Sequence, residues 1–149
     1  MKVVVNKCYG GFGISITALK ELVLRKSDCI TATTPKQYYG GNNENYKSRD
    51  KWKINWENDF KTYEDIGDGF MAHPQGYNIY KNDLIYDLDQ YSDDNFRSDK
   101  DLVEVVEKLG TKANGFCADL QITEIPDDIK WSIHNYDGME HVEEAHRTW

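Results

Sequence analysis

The chain has 149 residues, 39% of them hydrophobic, and carries a net charge of −8. That is the length of one domain with a modest core, and no apolar run approaches the roughly 20 residues of a membrane span. The acidic balance argues against DNA or RNA binding through a broad basic surface, and the lack of an apolar leader after Lys2 leads us to expect a cytoplasmic protein.

Residues 1–26 read as strand, glycine-rich turn and helix. Val3, Val4 and Val5 are β-branched and suit a buried strand. Gly10, Gly11 and Gly13 then allow positive φ or close backbone approach. Ser15 stands where an N-cap belongs, and Ile16, Leu19, Leu22 and Val23 follow at helical spacing. Residues 27–34 make a plausible short strand that Pro35 ends or places at a sheet edge. Residues 38–64 form a polar, aromatic-rich insertion within the single domain. Trp52, Ile54 and Trp56 alternate there with polar residues, as an edge strand or as a platform for stacking a ring. Residues 66–76, with Gly67, Gly69, Pro74 and Gly76, read as loop, with Phe70 and Met71 tucked in. A hairpin follows, with residues 77–80 and 84–88 around a polar turn.

Ser98 opens the best helix pattern, with Asp101 at the capping-box position. Leu102, Val105, Val106, Leu109 and Ala113 form its apolar stripe, and Asn114-Gly115 stops it. A second hairpin is expected from residues 116–122 and 129–133 around Pro126-Asp127-Asp128. In it Phe116, Ala118, Leu120 and Ile122 point inward. Residues 139–147 suggest a short closing helix. The fold class expected is therefore α+β: a single domain, with one mostly antiparallel sheet of five or six strands and three helices.

The segments MKVVVNKCYGGFGIS, FRSDKDLVEVVEKLGTKANG, and LQITEIPDD with YDGMEHVEEAHRTW, taken together, resemble a group of uncharacterised small bacteriophage and prophage proteins. The GGFG turn and the terminal His146-Arg147-Thr148-Trp149 carry the resemblance. It implies phage origin and a role inside the host cell, and it brings no activity with it.

The chemistry is sparse. Gly10-Gly11-Phe12-Gly13 is neither the G-x-G-x-x-G dinucleotide fingerprint nor a P-loop. Its amides before a helix still suit a phosphate or carboxylate; the competing reading is that the glycines only turn the chain. Arg97, beside the second helix start, suits an anion or pairs Asp93 or Asp94. His146, Arg147 and Trp149 would complete a pocket if the C-terminus docks. The candidate ligand-binding set is thus Gly11, Phe12, Gly13, Ser15, Arg97, His146, Arg147 and Trp149. No catalytic constellation, metal or cofactor is expected. His141 and His146 do not share a helix face, and Cys8, Cys29 and Cys117 read as reduced thiols without metal spacing. Charge is uneven: residues 1–75 hold 11 Lys/Arg against 9 Asp/Glu, and residues 76–149 hold 7 against 17. The function expected is sequestration of a phosphorylated small molecule, with a nucleotide signal of host immunity as the target that the phage resemblance suggests. The alternatives are an acidic inhibitor of a host defence protein and a nucleotide-processing enzyme using His146. A homo-oligomer is expected by analogy with small sequestering proteins.

Overall fold

Val3, Val4 and Val5 are fully buried on strand β1 (Lys2–Asn6), as β-branched residues in a buried strand should be. The computed structural model describes residues 1–34, 63–73, 77–89 and 94–144. The expectations for residues 38–62, including the alternation of Trp52, Ile54 and Trp56, lie outside the described residues, as do those for His146, Arg147 and Trp149. The chain divides into two compact units, Met1–Cys29 with Asp89–Trp149, and Ile30–Leu88.

In the first unit, β1 pairs antiparallel with β7 (Leu120–Glu124), Lys2 opposite Glu124 and Asn6 opposite Leu120. Helix α1 (Ile16–Leu24) is capped as its sequence foretells, with the Ser15 hydroxyl accepting from the Ala18 amide. Helix α2 (Lys100–Leu109) is capped by Asp99, whose side chain accepts from the Leu102 amide. That is one residue later than expected, because Asp94–Ser98 forms a 3-10 turn in which the Ser98 hydroxyl donates to the Asn95 carbonyl. α1 and α2 bury Ala18, Leu19, Leu22, Leu102, Val103, Val105 and Val106 with the valines of β1. Ion pairs from Lys108 to Glu21 at 2.6 Å and from Arg25 to Glu104 at 2.7 Å lace their exposed rims. A 3-10 turn (Gly110–Ala113) carries the chain from α2.

The second unit holds a five-stranded antiparallel sheet in the order β2-β6-β5-β4-β3. Its strands are β2 (Ile30–Thr33), β3 (Glu64–Gly67), β4 (Phe70–Ala72), β5 (Ile79–Lys81) and β6 (Leu84–Leu88). Phe70, Ala72, Ile79, Ile85 and Leu88 are its buried apolar residues. The β5–β6 hairpin matches the sequence reading.

Four expectations need correction. The fold is α+β and mostly antiparallel. Its described residues nevertheless form two α-helices and three separate sheets, rather than three helices on one sheet of five or six strands. Residues 66–72 of the expected loop belong to the β3–β4 hairpin, because Asp68 and Gly69 both take positive φ, 56° and 82°, as the two central residues of a tight hairpin turn do. The same chemistry removes the closing helix. Asp137 and Gly138, at φ 50° and 92°, join β8 (Trp131–Tyr136) to β9 (Met139–Glu144). With β8 paired to β9 and β7 to β1, the expected pairing of residues 116–122 with 129–133 does not form, and Phe116 points outward, 86% exposed.

Candidate functional site

The GGFG turn lies between two other pieces of backbone, and glycines make the approach possible on both sides. A Cβ on Gly10 would lie 2.1 Å from the Cys117 carbonyl oxygen, and one on Gly138 would lie 2.4 Å from the Tyr9 carbonyl oxygen and 2.5 Å from the Gly11 nitrogen. The Gly115 amide donates to the Gly13 carbonyl at 2.9 Å, and the Ser15 amide to the Ala113 carbonyl at 2.8 Å. Close packing therefore accounts for much of the glycine content. Ser15 is committed too: its hydroxyl donates to the Lys112 carbonyl at 2.6 Å while accepting from the Ala18 amide.

Behind the turn is a polar core. Asn6 has no solvent exposure, and its side chain uses its full capacity of two donors and two acceptors. Nδ2 donates to the carbonyls of Cys8 and Gly138, each at 2.7 Å. Oδ1 accepts from the amides of Cys8 at 3.2 Å and Asp119 at 2.9 Å. Glu140 of β9 is 3% exposed and Arg97 6%, and the two form a bidentate pair at 2.7 and 2.9 Å. Glu140 Oε1 also accepts from the Asn6 amide at 2.8 Å, and Arg97 Nη1 donates to the Val4 carbonyl at 3.3 Å. Phe12 lies over the guanidinium, its ring centroid 3.5 Å from Cζ, and meets Phe96 edge to face at 5.7 Å. Arg97 Nε is buried without a partner among the described residues.

The structure thus brings Gly11, Phe12, Gly13, Ser15 and Arg97 into one region. The guanidinium of Arg97 faces inward to Glu140, rather than outward to Asp94, and Phe12 is its lid; the expected alternative partner Asp93 lies outside the described residues. Sequence reasoning missed Asn6 and Glu140. The signal for Glu140 was the Asp-Gly turn before it, since on a strand Glu140 shares a face with Val142.

What the turn presents outward is backbone and aromatic surface. No hydrogen bond among the described residues engages the amides of Gly11, Phe12 or Gly13. Tyr9, Phe116 and Tyr136, exposed at 61%, 86% and 72%, stand on the three segments that the glycines pack together. Among the thiols, Cys29 is buried, and burial pushes it up to about 11, far from a thiolate at neutral pH. No helix among the described residues is long and apolar enough to cross a membrane. Comparison with family models, curated proteins and solved structures gives no match to this chain.

Proposed function

We propose that this chain is a binding protein that holds a phosphorylated small molecule, a nucleotide being the class that fits best, and keeps it without turning it over. The observation that supports this reading is the pairing of the Gly11–Gly13 amides, which no hydrogen bond engages among the described residues, with the exposed rings of Tyr9, Phe116 and Tyr136 on the adjoining segments. Amides of a tight turn attract an anion, and stacking on an exposed ring stabilises a base by about 1–3 kcal/mol. Arg97 serves this site from behind, by holding Phe12 and hence the turn. Arg147, His146 and Trp149 remain the candidates for a further cation and ring. With the phage resemblance, the ligand would be a nucleotide signal of host immunity and the protein an anti-defence sponge, homo-oligomeric, in the host cytoplasm.

Thermal melting against nucleotides and cyclic dinucleotides, with chromatography of the recovered ligand, tests the proposal. A ligand at 100 times its Kd adds about 2.7 kcal/mol. Intact ligand and a shift lost in Tyr9→Ala or Tyr136→Ala fit sequestration. Altered ligand replaces it with the enzyme reading, and no shift across the panel removes it.

One observation favours a second reading. Large exposed aromatics are typical anchors of protein interfaces, and Glu143 and Glu144 are exposed on the same unit. An acidic inhibitor of a basic host defence protein would use both, and its association would weaken steeply with salt.

A further inference from the structure

His134 and His141 stand directly opposite each other on β8 and β9, with ring centroids 4.9 Å apart and planes tilted by 46°. Glu143, two residues along the same face, brings its Oε1 to 2.8 Å from His141 Nε2. All three side chains are on the hairpin's exposed face, opposite the face from which Glu140 is buried. We propose that His134, His141 and Glu143 form a binding site for a divalent transition-metal cation of the Zn²⁺ class, separate from the glycine turn.

The separations argue for it. Zinc lies about 2.0–2.1 Å from an imidazole nitrogen, and the ring centre lies roughly another 1.1 Å beyond that nitrogen. Two imidazoles on one tetrahedral ion therefore have centroids about 5 Å apart, close to the 4.9 Å found here. Donor atoms on such an ion are about 3.3 Å apart. The His141–Glu143 contact, at 2.8 Å, needs to open by only about half an ångström to admit the ion.

The donor set fits as well: one carboxylate and two imidazoles are ligands of the kind Zn²⁺ takes. No three His, Cys, Asp or Glu side chains among the described residues are placed to hold a metal ion as they stand. The three exposed side chains would have to turn toward a common point, on strands whose opposite face is pinned by Glu140. The remaining positions on the ion would hold water or an anionic ligand, as in open zinc sites.

Titration of the full chain with Co²⁺, followed by visible absorption, tests the site. Saturable binding is expected, with the band intensity of tetrahedral cobalt, displaced by Zn²⁺ and not by Mg²⁺. His134→Ala and His141→Ala should each weaken it about tenfold or more, with an unchanged melting temperature without metal, since both rings are exposed. Acidification through the imidazole range should release the metal, because protons compete for the same nitrogens. The proposal is overturned if no saturable binding occurs by about millimolar Co²⁺. Binding of undiminished affinity in both variants overturns it equally, because His73, His146 or the cysteines would then be the ligands.

Discussion

Replacing Glu140 with alanine should be among the most damaging single changes to the first unit. Glu140 accepts three N–H groups: two from Arg97 and one from the Asn6 amide. Removing it strands a guanidinium that is 6% exposed. Breaking a buried pair in this way costs about 3–5 kcal/mol. The orphaned Asn6 amide adds a further penalty of about 1–3 kcal/mol. The two share a partner and do not add in full, so a loss of about 4 kcal/mol is the working figure. That is a large share of the roughly 5–15 kcal/mol that holds a domain folded. Urea unfolding followed by far-UV circular dichroism, with hydrogen exchange at the Asn6 amide, measures it. Glu140→Gln keeps an acceptor and should lose less. Arg97→Met combined with Glu140→Leu should be more stable than Glu140→Ala alone, because no charge is left stranded. A loss below about 1 kcal/mol for Glu140→Ala, the size expected of an exposed pair, would refute the reasoning.

The glycine turn yields a matched contrast. Gly10→Ala forces a methyl onto the Cys117 backbone and should destabilise by about 3 kcal/mol or more. Gly11→Ala meets nothing within 4 Å and is strained only by its φ of +90°, about 1–2 kcal/mol; parallel thermal melts decide, and equal losses would contradict the packing described. Phe12→Ala removes the ring over Arg97 and its edge contact with Phe96, a loss of about 2 kcal/mol readable in urea. Burial holds the Asp87 carboxyl above its usual 3.8. Its native state therefore keeps a proton that the unfolded chain has lost, and stability falls as pH rises from 3.8 through the higher folded value. Asp87→Asn should raise the melting temperature at neutral pH, with the gain vanishing at acid pH below both values; a pH series of melts checks the sign.

The sequence carried the helices well, because their signals are local. The Ser15 cap and the apolar spacing of α1 lie within one turn of each other, and Leu102, Val105 and Val106 mark the buried stripe of α2. The sheets were harder to read. Asp68-Gly69 and Asp137-Gly138 are hairpin turns by their own chemistry, but the strands beside them are short or polar and so resemble loop and helix. Met139 and Val142, three residues apart, satisfy a helical spacing as readily as Glu140 and Val142 satisfy a strand's period of two. Only the register with β8, which places Val142 opposite Ile133, separates the two. The pairing of β1 with β7 joins residues more than 110 positions apart, and nothing local announces it. The Arg97–Glu140 pair was hidden for the same reason: one partner lay on a segment assigned to the wrong element.

That pair also explains how a two-stranded sheet persists beside the rest of the unit. An isolated hairpin is marginal in water, and β8–β9 has no ladder to β1. Its link to β1 runs through side chains. Glu140 accepts from the Asn6 amide, Lys7 Nζ donates to the Glu140 carbonyl at 2.9 Å, and Asn6 Nδ2 reaches the Gly138 carbonyl at the turn. These bonds are directional, whereas an apolar contact of the same area would let the hairpin slide or rotate. They fix Gly138 against Tyr9 and Gly11, and through Arg97 they fix Phe12. The outer face of the turn and the outer face of the hairpin are therefore held by the same buried carboxylate. One acidic residue in a strand otherwise suited to solvent sets the geometry of both surfaces at which this chain is proposed to bind.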